Sequence, residues 1–185
     1  MAEFFPALDE AHRAFIAKQP VFFVATAAEG VRINLSPRGY DTFRVIDDTT
    51  VAILDLGGSG NETQAHLIAD GRITIMFCAF DTPALILRLY GRGTAVLPQD
   101  DGFAALAAWF PKLPGVRQVF LVRVETVQTS CGWGVPKMTL EAERPTLAKY
   151  HRQQDPAERL SKVQGRTHSI DGLPQRVQAF IPEAE

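Results

Sequence analysis

The apolar positions of the chain fall into short runs with a period near two, separated by glycine, proline and aspartate. Val21 to Thr26 is aromatic and β-branched and predicts a strand, with Glu29-Gly30 turning into the alternating run Val31 to Ser36. Pro37-Arg38-Gly39 is expected to break that strand. Phe43 to Ile46, Thr50 to Asp55 and Arg72 to Phe80 read as further strands. Leu85 to Leu97 is a longer β-like run, and its Gly91 and Gly93 suggest a bulge or bend. Arg117 to Thr129 alternates strongly and predicts another long strand. Helical spacing marks residues 6–18, a short segment at Ala65 to Ile68, and Phe103 to Phe110 closed by Pro111. Residues 136–163 are charged and helical in part, and a polar tail follows.

Six or seven strands that are not regularly separated by helices argue against a doubly wound parallel sheet. The expectation is a mainly β (α+β) fold, a small antiparallel barrel with peripheral helices. Residues 1–136 would form the barrel domain, and 137–185 a helical and loop extension of it. Composition adds bounds. The chain has 185 residues, 46% hydrophobic and 22% charged, enough for one sizeable core. A formal net charge of −2 gives no broad surface for nucleic acid. No apolar run approaches the ~20 residues of a bilayer span, and no secretory signal is legible, so a cytoplasmic protein is expected. Two cysteines, Cys78 and Cys131, and four scattered histidines suggest neither a disulfide nor a metal site.

The segment most suggestive of chemistry is Asp55-Leu56-Gly57-Gly58-Ser59-Gly60-Asn61-Glu62-Thr63, a strand feeding a glycine-rich turn and then a helix start. Such a turn can hold an anion, because backbone N–H groups converge there and the helix dipole favours negative charge. It fits neither the dinucleotide fingerprint nor the phosphate loop of nucleotide hydrolases. A competing local reading is a capping box, with Ser59 as N-cap and Glu62 at the third helical position. Asn34 and Ser36 share one strand face, and Arg38 follows at the strand end, where an arginine can grip a phosphate. Arg88, Tyr90 and Arg92 share a parity that could line a pocket or face solvent. Trp133, flanked by glycines after the last long strand, could lie against a planar ring or plug the barrel. No histidine spacing supplies a base for Cys131.

Together these segments resemble the FMN-binding split-barrel family related to pyridoxamine 5′-phosphate oxidase. The resemblance is carried by Asn34-Leu35-Ser36-Pro37-Arg38-Gly39, Leu54 to Leu67, Gly71 to Phe77, Leu89-Tyr90-Gly91-Arg92-Gly93 and Val127 to Pro136. It implies a six-stranded split barrel and a homodimer holding FMN at the subunit interface. The strand Asn34–Ser36 would run beside the flavin, with Arg38 and the turn from Ser59 to Thr63 at its phosphate. The cofactor-binding set implied is Asn34, Leu35, Ser36, Arg38, Asp55, Ser59, Gly60, Asn61, Glu62, Thr63 and Trp133. The basic residue usual in the turn is replaced by Asn61, Glu62 and Thr63. The paired arginine and histidine of the oxidase's C-terminal substrate motif are not visible, which argues against pyridoxamine phosphate oxidation. The function expected is an FMN-dependent oxidoreductase acting on a small molecule, with no catalytic residue assigned. The alternatives are a non-catalytic flavin-binding or sensor protein, or the same fold binding deazaflavin F420 or haem.

Overall fold

The structure, a computed structural model, describes residues 2–182. Eight strands form one antiparallel sheet: β1 (Glu3–Phe5), β2 (Phe22–Thr26), β3 (Asn34–Arg38), β4 (Phe43–Val45), β5 (Thr50–Leu56), β6 (Arg72–Cys78), β7 (Leu85–Val96) and β8 (Val116–Cys131). The order is β3-β2-β6-β7-β8-β5-β4, with β1 added beside β8. Five helices accompany it: α1 (Glu10–Ile16), α2 (Glu62–Ala69), α3 (Phe103–Ala107), α4 (Thr146–Gln153) and α5 (Pro156–Gln164). The expected architecture holds, with β1 and β4 as short additions to the strands of the barrel.

Three local departures have physical causes. β3 runs through Pro37 instead of ending before it; Pro37 pairs with Phe23, and β3 is an edge strand with no further neighbour to receive the missing N–H. Residues 3–5, expected to lead into the first helix, pair with Val127 to Thr129 as β1. The helix starts only at Glu10, where Asp9 and His12 form a reciprocal capping box. α2 starts at Glu62, with Asn61 as N-cap and no side-chain capping bond, so the Ser59 capping box does not form.

The main core fills the curved sheet with Phe22, Val24, Ile53, Ile75, Phe77, Leu87, Leu89, Phe120 and Val122, sealed by Phe15 and Ile16 of α1 and Leu67 of α2. A smaller core lies on the other face, where Ala52, Leu54 and Val119 meet Phe103 and Phe110 around α3. β5 is therefore buried on both faces, which explains its unbroken apolar run. The bend foreseen at Gly91 is a bulge in β8. Tyr90 pairs with Thr126 and Gly91 with Val124, leaving Glu125 as the extra residue. A Cβ on Gly91 would lie 2.0 Å from the Arg123 carbonyl oxygen, so the two backbones approach closely enough to require glycine.

Gly91→Ala is expected to lower stability by about 1–3 kcal/mol or more, because the backbone contact cannot yield without moving the bulge. Gly58→Ala, which meets nothing within 4 Å, is expected to change it by less than about 0.5 kcal/mol. Urea denaturation of both variants checks the contrast.

Candidate functional site

The site begins with the alternation of β3. Asn34, Ser36 and Arg38 point to the inner face of the sheet, while Leu35 and Pro37 point out. Asn34 lies opposite Thr26 of β2. Its amide donates to the Thr63 hydroxyl at 3.2 Å, in the first turn of α2, and the Ser36 hydroxyl reaches Asn34 Oδ1 at 3.4 Å. Arg38 Nη2 lies 3.5 Å from the same Thr63 oxygen. Thr26 Oγ1 in turn meets His66 Nδ1 at 3.0 Å, tying β2 to α2. The predicted pairing of Asn34, Ser36 and Arg38 with the helix start is thus present, and Thr63 is the residue that joins them.

Asp55 sits beneath this group, wholly buried. One carboxylate oxygen pairs with Arg38 Nη1, and the other accepts from Arg117 Nε at 2.7 Å and Gln118 Nε2 at 2.8 Å. Arg117 and Gln118 are sequence neighbours and would normally face opposite sides of a strand. The β5–β8 register shifts here: Asp55 pairs with Gln118 and Leu56 with Val116. Arg117 is the bulged residue, and the bulge turns both side chains toward one carboxylate. Burial pushes the Asp55 carboxyl up, but the guanidiniums of Arg117 and Arg38 more than offset it and hold it down at about 2. Asp55 therefore positions the two arginines and is not open to a ligand.

From Asp55 the network crosses the glycine turn. Arg117 Nη1 donates to the Gly60 carbonyl at 2.7 Å. Gln118 donates to Asn61 Oδ1 at 2.7 Å and accepts from Gln64 Nε2 at 2.6 Å. Asn61 is committed to this network, so the N–H groups of the first turn of α2 have no side-chain cap. Glu62 accepts from the backbone N–H of Ile170 at 3.2 Å, which seats the C-terminal tail on the helix start. The sequence-predicted cradle is thereby divided. Asn34, Ser36, Arg38 and Thr63 form one group. Ser59 and Asn61, with Gly57 and Gly58, line a separate cavity of about 330 Å³ beneath α4, α5 and the tail.

The other candidates lie apart. Leu35 is 65% exposed on the outer face, and Trp133 is 85% exposed beyond the end of β8, so neither barrel plug nor ring platform forms within this chain. Tyr90 donates to Gln128 at 2.8 Å and Arg88 to Ser130 at 3.2 Å on the outer sheet face. Cys131 is exposed, and no cluster of three or more metal-ligating side chains occurs among the described residues. Arg117, Gln118 and Gln64 were not among the candidates the sequence offered, and His66 was considered only as an axial ligand for haem. Their signal was a pair of polar residues, Arg117-Gln118, opening a strongly apolar strand.

An inner-facing polar row on an edge strand, meeting a helix start over a buried aspartate in an antiparallel half-barrel, is the architecture of a split-barrel protein. Residues 8–131 match the family model described as pyridoxamine 5′-phosphate oxidase. The chain is 34% identical over 193 residues to the pyridoxamine 5′-phosphate oxidase family protein ustO of Aspergillus flavus, covering 94% of this chain and 78% of that protein. This chain belongs to the pyridoxamine 5′-phosphate oxidase family. Among solved structures, a pyridoxamine 5′-phosphate oxidase homologue from Lactobacillus delbrueckii superposes with a TM-score of 0.55 at 15% identity, covering 66% of this chain and 94% of that one. HupZ of Group A Streptococcus superposes with a TM-score of 0.52 at 21% identity, covering 65% and 91%. Both similarities are of fold.

Asp55 generates a pH prediction. Its folded-state pKa lies below the unfolded value of 3.8, so its contribution is complete above pH 4 and lost as pH falls toward 2. That contribution is about 2 kcal/mol. Asp55→Asn is expected to lose this acid-labile step. At neutral pH it should also cost about 3–5 kcal/mol, because two arginines are left without their counter-charge. Denaturation midpoints of both proteins from pH 2 to 7 check both parts.

Proposed function

We propose that the protein is an FMN-binding oxidoreductase acting on a small molecule. The observation that carries this reading is the convergence of Asn34, Ser36 and Arg38 with Thr63 at an uncapped helix start. The donors suit a phosphate: a guanidinium, an amide, two hydroxyls and the first-turn N–H groups of α2. Arg38 also keeps an Nε with no hydrogen-bond partner among the described residues, so its guanidinium is not saturated by Asp55 and Thr63. Bound FMN would supply electron transfer. The chain's own residues would fix its phosphate and, through the Asp55 pair, hold Arg38 in place. No side chain is assigned as a general acid or base, and pyridoxamine phosphate is not proposed as the substrate.

A homodimer with FMN at the interface fits the outer face. Ile33, 77% exposed, precedes edge strand β3 and Leu35 lies on its outer face, and Phe23, Ala25 and Met76 continue the row across β2 and β6 by register. An apolar row of this kind next to the cradle suits a second copy of the chain. Cys78 and Cys131 are both unpaired, which suits a reducing, cytoplasmic setting. Haem is a weaker candidate than flavin: His66 is only 1% exposed, so its ring, held through Nδ1 by Thr26, presents no open face for an axial bond.

Purified protein is expected to be yellow, with absorbance near ~450 nm and FMN released on denaturation. Arg38→Ala is expected to weaken FMN binding by at least about tenfold, since a charge-assisted phosphate contact contributes on the order of 1.5–3 kcal/mol. Fluorescence titration of FMN measures it, and an unchanged affinity would remove Arg38 from the cradle. Bleaching by a reduced nicotinamide and recovery in air would separate an oxidoreductase from a passive flavin binder.

A further inference from the structure

We propose that the C-terminal extension encloses a second binding site, independent of the flavin cradle, for a small phosphomonoester that carries hydroxyl groups. The cavity of about 330 Å³ under α4, α5 and the tail is lined by Arg117, Arg159, Lys162, Arg166 and Arg176, and no carboxylate among the described residues lines it. Asn34, Ser36, Arg38 and Thr63 do not line it either. A volume of this order sits at the small end of ligand pockets, suited to a ligand well below the size of a flavin nucleotide.

The charges are out of balance. Arg117 is paired with Asp55 and Arg176 with Asp100. Arg159, Lys162 and Arg166 have no carboxylate partner among the described residues. Arg159 is 8% exposed, and its hydrogen bond is donated from Nη2 to the Val116 carbonyl at 3.0 Å. Burial and the neighbouring Arg117 both act against its charged form. A buried guanidinium beside a second one, with no anion to face, is a costly arrangement for a protein to keep without a ligand.

The cavity also holds two unused acceptors. Gln178 is 1% exposed, and its Oε1 has no partner among the described residues. His151 packs against Gly115, where a Cβ would lie 2.2 Å from its ring. Its Nε2 lies 2.8 Å from the Gly57 carbonyl and must donate to it. Burial lowers the pKa of His151, so the ring is neutral at pH 7 and Nδ1, which has no partner among the described residues, carries a bare lone pair. Cations with spare donors beside two buried acceptors call for an anion with hydroxyls attached. The extension builds both: α4 supplies His151, α5 supplies Arg159 and Lys162, and the tail supplies Arg166, Arg176 and Gln178.

The test is calorimetric titration of the whole protein with glycerol 3-phosphate, with and without saturating FMN. Binding is expected in both conditions, and glycerol is expected not to bind. Arg159→Gln should weaken it by at least about tenfold. The exposed pair Lys162→Ala with Arg166→Ala, which removes one surface hydrogen bond from Arg166 to the Gly58 carbonyl, should weaken it by about threefold or more. FMN affinity should be unchanged in both variants, and Arg38→Ala should leave glycerol 3-phosphate binding intact. Absence of binding at millimolar concentration, indifference to both sets of substitutions, or displacement by FMN would each overturn the proposal. Arg159-dependent binding in protein that takes up no FMN would leave this site standing and remove only the flavin reading.

Discussion

A single carboxylate organises the functional end of this molecule. Asp55 has no contact with solvent, and it is shared by Arg38 from β3 and Arg117 from β8, with Gln118 as a third donor. Three strands distant in sequence are thereby fixed at one point. A buried carboxylate would be expensive alone, and so would either arginine; the group is tolerable only complete. The requirement extends outward. Arg117 holds the Gly60 carbonyl, and Gln118 holds Asn61 and Gln64, so the shape of the glycine turn and the start of α2 depend on the same charge.

The barrel provides the setting in which that charge can be satisfied. A bulge at Arg117 lets two neighbouring residues reach one carboxylate, and a second bulge at Glu125 bends β8 around the main core. The edge position of β3 permits Pro37 and leaves Leu35 and Pro37 facing outward, while Arg38 turns in. The same strand thus offers an apolar outer face and a polar inner one. The glycine turn has two roles as well: its Gly60 carbonyl is held by Arg117, and Gly57, Gly58 and Ser59 line the cationic cavity under the extension.

Much of this was legible in the residues. The alternation of β2, β6, β7 and β8 and the absence of regular intervening helices indicated an antiparallel barrel, and Asn34 and Ser36 were read on one strand face, though Arg38 was read as following a break at Pro37 and instead continues β3. What could not be read was how charges pair across the fold. Asp55 looked like a ligand residue because it opens the glycine turn, yet its partner Arg117 lies 62 residues away and reaches it only through a bulge. The capping box at Ser59 failed for a related reason: Asn61 was recruited by Gln118 and Glu62 by the backbone of Ile170. Local motifs compete with long-range partners, and a single sequence shows only the local side. The extension was the least legible part, because its cations acquire meaning only where α4, α5 and the tail fold over the turn.

The central claim is that Asp55 and Arg38 act as one unit. A double-mutant cycle on stability, with Asp55→Asn, Arg38→Gln and the pair measured by urea denaturation at neutral pH, tests it most directly. The account predicts strong non-additivity, with the second substitution costing at least about 1 kcal/mol less once the first is present. Additive costs, within about 0.5 kcal/mol, would contradict it.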